Sequence, residues 1–193
     1  MEQLFAAVAF VAALAFAQPI EALEHYSFKH IDSSMGLSSS NVKCIAEDSY
    51  GFMWLGTKNG LNRYDGVNMR LLDCYDEELN QGNNNIGALY EDENKMLWVG
   101  TDRGIYIYNP HTDRFRKAVQ KDAKTGTVAD NWVQSIVGDG KGNVWALVPD
   151  QGVFHYHDGD KVDYYNITKD GNFKKIFPLN MFISSKKYVW ICT

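Results

Sequence analysis

The stretch GFMWLGTKNGLNRYDG, residues 51–66, has two interpretations. A glycine-rich run with a hydroxyl residue can bind phosphate through its backbone N–H groups, and a structural motif can have the same composition. A phosphate-binding loop of the Walker type ends in Gly-Lys-Ser/Thr before a helix and occurs once per site. This stretch lacks that ending and recurs along the chain. We therefore interpret it as part of a structural repeat.

The repeat is centred on a tryptophan. MLWVGTDRGIYIYNP (96–110) keeps the Trp, Gly-Thr, Gly and Tyr of the first copy, NVWALVPDQGVFHYHDG (143–159) keeps Trp, Gly and Tyr, and YVWICT (188–193) begins a fourth copy. The tryptophans are separated by 44, 47 and 45 residues, and an aspartate lies six residues before each of the first three. A period in the forties is typical of β-propeller blades. The positions shared between copies are Asp48, Trp54, Gly60, Tyr64, Asp92, Trp98, Gly104, Tyr108, Asp139, Trp145, Gly152, Tyr156 and Trp190.

Each copy predicts four short strands separated by tight turns. No helical periodicity is found after the first residues. An Asp followed by Gly suits a type I turn, in which the carboxylate accepts backbone N–H groups. The tryptophans are predicted to be buried between neighbouring blades. The fold class is all-β, an incomplete β-propeller of three four-stranded blades plus the start of a fourth. The strands are predicted at 42–47, 52–57, 60–64, 67–72, then 86–91, 96–101, 104–108, 113–118, then 133–138, 143–148, 152–156 and 161–166.

The N-terminal residues differ from the repeats. LFAAVAFVAALAFA (4–17) is apolar, is shorter than a membrane span of about 20 residues, and ends in Ala-Phe-Ala, as a signal peptidase site does. Export is predicted, although Glu2 in place of a basic residue leaves an uncleaved anchor or a misassigned start as alternatives. The predicted segments are a signal peptide (1–17), a leading strand and linker (18–40, the strand at 25–31), blade 1 (41–84), blade 2 (85–131), blade 3 (132–176) and the start of blade 4 (177–193).

Composition argues against several classes of site. The net charge of −5 is distributed without a basic stripe, so no nucleic-acid partner is expected. Three cysteines are too few for a disulfide framework or a zinc site, and Cys44 and Cys192 fall at small-residue positions of the repeat, which predicts packed free thiols. His155 and His157 alternate on one strand face and could bind a metal, but a solvated strand edge is the preferred interpretation. No catalytic residues, metal site or cofactor are predicted.

Candidate ligand-binding residues lie in the loops that enter the first strand of each copy. These loops are SSSN (38–41), NNN (83–85) and ADNW (129–132). Rigid scaffolds carry function on their connections, and amides with one aromatic ring suit the hydroxyls and the apolar face of a sugar. The alternative is that asparagine is there for turn geometry. The candidates are Asn41, Asn85, Asn131 and Trp132.

GLSSSNVKCIAEDSYGFMWLGTKNGLNRYDG (36–66) resembles the two-component regulator propeller repeat, through the pattern DxxGxxWxGTxxGLxxY. The resemblance covers residues 24–193, with departures at WALVPDQG (145–152) and Ser184. It implies the periplasmic sensor of a hybrid two-component histidine kinase, with an oligosaccharide as ligand. The resemblance also implies an inner-membrane receptor that is anchored through a later segment and is a homodimer at full length, with kinase activity outside this chain. The alternative is a secreted propeller enzyme, a lyase or a glycoside hydrolase.

Overall fold

The computed structural model describes residues 27–119, 121–159, 161–167 and 178–192. The chain divides into two compact units, residues 1–30 and 31–193. The predicted signal peptide lies outside the described residues. No helix in the described part of the chain has the length and apolar character to cross a membrane. The leading strand is predicted at 25–31, but residues 27–31 are not in a strand. A β-strand is defined by hydrogen bonds to a neighbouring strand, and no described strand pairs with these residues.

The second unit contains three four-stranded antiparallel meanders, which we call blades 1, 2 and 3, and a two-stranded sheet. A short 3-10 helix, Ser33–Met35, precedes them. Blade 1 consists of β1 (Val42–Glu47), β2 (Met53–Thr57), β3 (Gly60–Tyr64) and β4 (Met69–Leu72). The all-β propeller prediction is confirmed, and all twelve predicted strands are present with bounds that differ by at most two residues.

The sheet of blade 2 has six strands. The linker after blade 1 forms a hairpin, β5 (Tyr75–Asp76) and β6 (Gln81–Gly82), and β5 pairs in parallel with the outermost strand of blade 2. The Asp76 carboxylate accepts the N–H groups of Glu78 and Leu79, both at 3.0 Å, and that of Lys117 across the sheet. The other strands of blade 2 are β7 (Ile86–Glu91), β8 (Leu97–Thr101), β9 (Gly104–Asn109) and β10 (Arg114–Lys117).

Blade 3 and the following sheet continue the array. Strands β1, β7, β11 and β15 lie side by side as the inner strands. Blade 3 consists of β11 (Ser135–Gly138), β12 (Val144–Val148), β13 (Gly152–His157) and β14 (Lys161–Tyr165), and the two-stranded sheet consists of β15 (Asn180–Ile183) and β16 (Val189–Cys192).

The glycine of the Gly-Thr pair is required by the close approach of neighbouring blades. A Cβ atom at Gly56 would lie 2.7 Å from Ile86 Cγ2, and one at Gly100 would lie 2.7 Å from Val133 Cγ1. Both distances are shorter than van der Waals contact. The inner strands can therefore pack against the preceding blade only where this position has no side chain.

The predicted position of the tryptophans between blades is confirmed for the first two copies. Trp54 meets Tyr108 of blade 2 edge to face at 5.4 Å, and Trp98 meets Tyr156 of blade 3 at 5.1 Å. Both indoles are buried. Burying a tryptophan removes about 150–250 Å² from water, which stabilises the fold by at most about 4–6 kcal/mol. Trp145 is half-buried, and Trp190 is 54% exposed.

The repeated aspartates form the turns, as predicted, and two of them also hold a tryptophan. Asp48 Oδ1 accepts the N–H groups of Tyr50 and Phe52, both at 2.9 Å, and its Oδ2 accepts Trp54 Nε1–H at 2.7 Å. Asp92 makes the same three bonds with Asn94, Met96 and Trp98, each at 2.9 Å. Each carboxylate therefore orients the turn and the buried indole together.

Candidate ligand site

The candidate site begins at a β-bulge on the inner strands. In blade 1, Val42 pairs with Thr57 but Cys44 pairs with Gly56, so Lys43 is an additional residue. In blade 2, the same shift makes Gly87 the additional residue. Gln134 occupies the equivalent position in blade 3, eleven residues before its tryptophan. A bulge redirects a side chain out of the regular alternation, so positions 43 and 87 differ from the packed residues beside them, whereas in blade 3 the pairing with β12 is regular from Ser135 onward.

Side chains from three blades meet at this end of the inner strands. Lys43 Nζ lies 4.4 Å from the centroid of the Trp132 ring and donates to Asn85 Oδ1 at 2.6 Å. Asn85 Nδ2 donates to Asp102 Oδ2 at 2.9 Å. Trp132 Nε1 donates to Gln134 Oε1 at 2.8 Å. We call Lys43, Asn85, Asp102, Trp132 and Gln134 the three-blade cluster.

Gly87 makes the cluster sterically feasible. A Cβ atom at this position would lie 2.5 Å from Trp132 Cη2 and Cζ2, and 2.7 Å from the Val133 carbonyl oxygen. The backbone at Val133 cannot easily move aside, so a side chain at residue 87 would displace the Trp132 indole instead. The absence of that side chain brings Trp132 of blade 3 within reach of Lys43 of blade 1.

The cluster retains hydrogen-bonding capacity. Asp102 Oδ1 is buried and accepts no hydrogen bond from the described residues. A buried carboxylate oxygen without a donor is unfavourable, and this one has no surface open to solvent, so a bound molecule would reach it only after the side chains around it move. Lys43 is exposed, so its ammonium can bond solvent or ligand while it lies over the indole. A cation over an aromatic face contributes about 0.5–1 kcal/mol at an exposed site.

The structure brings together two of the four predicted ligand residues. Asn85 and Trp132 are in the three-blade cluster, whereas Asn41 and Asn131 are exposed and lie outside it. The backbone N–H of Asn41 donates to Ser39 Oγ at 3.2 Å, as in a turn. The binding role of all four stays a prediction.

Sequence reasoning did not find Lys43, Asp102, Gln134 or the role of Gly87. A signal was present in the repeat alignment. In the first three copies, the position eleven residues before the repeat tryptophan holds Lys, Gly and Gln, while the positions next to it hold similar residues. Variation at one position of an otherwise regular repeat is typical of residues that are not needed for packing.

A second polar group lies in blade 3. Within the described ranges, His155, His157 and Asp163 offer metal-ligating atoms within 4.8 Å of one another. Burial, and then the nearby His157, lower the pKa of His155. Sequence reasoning identified the two histidines on one strand face but not Asp163, because the partner comes from the neighbouring strand.

Cys44, Cys74 and Cys192 are free thiols, as predicted for Cys44 and Cys192. Burial raises the pKa of Cys44 to about 12 and also raises the pKa of Cys74, so neither forms a reactive thiolate near neutral pH. Cys192 is exposed rather than packed. It occupies the position of Gly56, which packs against the next inner strand, and no described strand follows β16.

Comparisons with known proteins support this architecture. Residues 36–59 and 80–103 match the family model of the two-component regulator propeller. A 47-residue segment is 38% identical to histidine kinase P4 of Formosa agariphila, over 24% of this chain and 3% of the kinase. The fold is similar to the extracellular domains of two hybrid two-component systems from B. thetaiotaomicron, BT3049 (TM-score 0.70, 20% identity, 84% of this chain and 23% of that chain) and BT4673 (0.62, 24%, 78% and 22%).

The chain spans about a quarter of the length of these two solved structures and a far smaller part of the kinase. At these identities the solved structures show the fold alone. The family model covers the inner two strands of blades 1 and 2, where the Gly-Thr pair and the Asp-Trp bond are found, and it does not reach blade 3, which lacks both. The chain therefore carries two-component regulator propeller repeats, at residues 36–59 and 80–103.

Proposed function

We propose that the chain is the ligand-sensing part of a periplasmic propeller in a two-component receptor, and that it binds an oligosaccharide at the three-blade cluster. The repeats support the sensor role, because this type of repeat takes its name from two-component regulators. The single observation that carries the ligand site is the meeting of Lys43, Asn85 and Trp132 from three blades.

The chemistry of the cluster fits sugar hydroxyls better than an apolar ligand. Lys43 Nζ and the Asn85 amide offer donors and an acceptor at the surface. The Trp132 ring supplies an apolar surface against which the C–H groups of a pyranose can lie. Binding sites commonly combine one aromatic surface with a few polar groups that fix orientation.

The cluster does not resemble the site of a glycosidase. Glycoside hydrolysis generally uses a pair of carboxyl groups about 5–9.5 Å apart on either side of the scissile bond. The cluster as defined has one carboxylate, that of Asp102. The repeated aspartates, Asp48, Asp92 and Asp139, are engaged in turns at the other end of their strands. This use of the acids favours binding without chemistry over the alternative of a propeller enzyme.

The experiment is a thermal-shift and tryptophan-fluorescence screen of the purified chain against oligosaccharides from bacterial, plant and algal polysaccharides. We expect one class of oligosaccharide to raise the melting temperature and to change the tryptophan emission. Trp132→Ala should abolish both effects and leave the melting temperature of the free chain nearly unchanged, because the indole is half-buried. Asn131→Ala, an exposed neighbour in the same loop, is the matched control and should keep both effects.

The site would be excluded if an oligosaccharide shifted the melting temperature of Trp132→Ala as much as that of the wild type. A large loss of stability in ligand-free Trp132→Ala would instead assign this residue to the core. A chain that no oligosaccharide stabilises would contradict the sensor proposal for this class of ligand.

Signalling across the membrane is part of the same proposal. The ligand would bias a homodimeric receptor in the inner membrane and change the phosphorylation of its kinase. In a receptor that carries this chain, Trp132→Ala should abolish the response of kinase phosphorylation to ligand and leave its basal level intact. A response unchanged by Trp132→Ala would separate signalling from the three-blade cluster.

A further inference from the structure

We propose that blade 3 contains a binding site for one divalent transition-metal ion of the Zn²⁺, Ni²⁺ or Cu²⁺ type, formed by His155, His157 and Asp163. The site does not depend on the proposed sensor function. It lies on β13 and β14, toward the end of blade 3 that is opposite the three-blade cluster.

The three ligands lie on one face of the sheet. His155 and His157 are two residues apart on β13 and therefore point to the same side. Asp163 of β14 is the cross-strand partner of His155. The two imidazole centroids are 4.8 Å apart, and His157 Nε2 lies 3.0 Å from Asp163 Oδ2. The side chains of His157 and Asp163 are 21% and 26% exposed, so an ion can reach them from solvent.

This donor set suits borderline divalent metals. Two imidazoles and one carboxylate are a common ligand combination for Zn²⁺ and bind Ni²⁺ and Cu²⁺ as well. In a tetrahedral site with bonds of about 2.0–2.2 Å, the ligand atoms are about 3.3–3.6 Å apart. His157 Nε2 and Asp163 Oδ2 need to separate by a few tenths of an ångström, and His155 needs to move closer.

The surroundings provide for the proton that His157 keeps when it binds a metal. In the free chain His157 Nε2 donates to Asp163 Oδ2 at 3.0 Å, and an ion would take the place of this proton, while a proton on Nδ1 is accepted by Asp158 Oδ2, 3.3 Å away. Lys124 Nζ bonds Asp163 Oδ1 at 2.7 Å, which leaves Oδ2 for the ion. Carboxylates that orient a ligating histidine in this way raise metal affinity.

Asn143 orients His155. The amide of Asn143 donates from Nδ2 to Asp139 Oδ2 at 3.1 Å, so its Oδ1 faces His155 Nε2 at 3.1 Å as an acceptor. His155 therefore carries its proton on Nε2, and Nδ1 has the lone pair that a metal needs. The ring also stacks on Trp145, with centroids 4.4 Å apart and planes 2° apart, which restricts its rotation.

The repeat does not explain this arrangement. The positions of Asn143 and His155 hold Phe52 and Arg63 in blade 1, and Met96 and Ile107 in blade 2. In those blades the aspartate bonds the tryptophan directly. Blade 3 is the copy in which the aspartate holds an asparagine that in turn holds a histidine, so packing between blades is not the reason for these residues.

The experiment is isothermal titration of the tag-free, chelator-treated chain with Zn²⁺, together with Cu²⁺ electron paramagnetic resonance. We expect one ion per chain and a Cu²⁺ spectrum with two nitrogen ligands. His157→Gln should weaken binding by about 10-fold or more, as should Asp163→Asn. His111→Gln, which removes an exposed histidine of blade 2, is the matched control and should leave the affinity unchanged.

Asn143→Met tests the role of the asparagine as a positioning residue. Methionine is the natural residue at this position of blade 2, so the variant should fold, yet it should lose about 10-fold in Zn²⁺ affinity. A wild-type chain that binds no stoichiometric metal would overturn the proposal, and so would a loss in His111→Gln equal to that in His157→Gln. The two-nitrogen Cu²⁺ spectrum of the wild type tests the site even where a variant fails to fold.

Discussion

Blades 2 and 3 have the same four strands but use their repeated aspartate differently. In blade 2, one carboxylate oxygen of Asp92 accepts turn N–H groups and the other holds the buried Trp98. In blade 3, Asp139 accepts the N–H groups of Lys141 and Asn143 at 2.8 and 3.3 Å, but its second oxygen holds the Asn143 side chain. The turn is therefore the constant part of the motif, and the partner of the second oxygen can change.

The change in partner has a structural consequence. Trp98 is buried and meets Tyr156 of the next blade, whereas Trp145 is half-buried and stacks on His155 of its own blade. Blade 2 buries its tryptophan between two blades, whereas the tryptophan of blade 3 is only partly buried beside the cluster that blade 3 shares with the following sheet, and it also holds a histidine. Copies of one repeat can thus keep the same strand pattern and still differ in the side-chain contacts that they form.

The largest expected difference between the blades concerns the tryptophans. Trp98→Ala should lower the free energy of unfolding by about 3–5 kcal/mol, because it leaves a cavity between two blades. Trp145→Ala should lower the free energy of unfolding by less, since this indole is only partly buried. Urea unfolding of both variants, followed by circular dichroism, measures the difference. Equal losses would show that both tryptophans join blades in the same way.

The aspartates should differ in the same direction. Asp92→Ala leaves the buried Trp98 Nε1–H without an acceptor and should cost about 1.5–3 kcal/mol. Asp139→Ala should lower the free energy of unfolding by less, because the Asn143 amide that loses its acceptor can donate to water instead. The same urea titration compares the two variants.

One substitution tests the comparison between Asp92 and Asp139 directly. Asn143→Met removes the asparagine that occupies Asp139 Oδ2 and should let this oxygen accept Trp145 Nε1–H. The indole N–H proton of Trp145 should then exchange more slowly with solvent, which NMR can measure. Unchanged exchange would mean that the asparagine is not what separates Asp139 from Trp145.

Substitutions at the bulge position of blade 2, Gly87, should have a smaller effect on stability. Gly87→Ala introduces a Cβ atom 2.5 Å from Trp132 and should cost about 1–3 kcal/mol as the indole is displaced. Gln134→Ala, at the equivalent position of blade 3, adds no atom and should be nearly neutral. Stability together with tryptophan emission measures both. Wild-type emission in Gly87→Ala would show that the ring can tolerate the side chain.

The smallest expected effect is a pH dependence at the rim between blades 1 and 2. The hydrogen bond from Arg70 at 2.5 Å, and then that from Tyr108, hold the pKa of Asp113 below its usual value. A lowered pKa in the folded state adds stability above about pH 4, and this stability is lost as pH falls through the folded-state pKa. Asp113→Asn should therefore differ from the wild type at pH 7 and converge with it in acid. Because both side chains are about half exposed, added salt should reduce the difference.

Much of the fold could be predicted from the sequence because its signals are local and repeated. The tryptophan period predicts the blades, and the aspartate six residues before each of the first three tryptophans predicts the turn of the first hairpin, with glycine three residues later in blades 1 and 3 and Lys95 in blade 2. The β5–β6 hairpin was missed because strands of two residues have no periodicity, and the hairpin is stabilised by Asp76 bonds to a distant strand.

The candidate site was less predictable for a physical reason. Asn85 and Trp132 stand at loop ends, where sequence reasoning looks for binding residues. Their partners depend on geometry that no single copy contains, since Lys43 reaches Trp132 across Gly87 of the blade between them. The contact exists only when three blades are assembled.

The β5–β6 hairpin has a consequence for how such arrays can be recombined during evolution. The sequence period suggests a boundary between blades 1 and 2 at residues 84/85. If the chain were divided there, the hairpin would be separated from β10, the strand with which it pairs. The Asp76 carboxylate would then lose the Lys117 N–H that it accepts. A transferable unit begins instead near Leu72, at the end of β4, so that gene duplications or exchanges of blade 2 should have breakpoints before the hairpin.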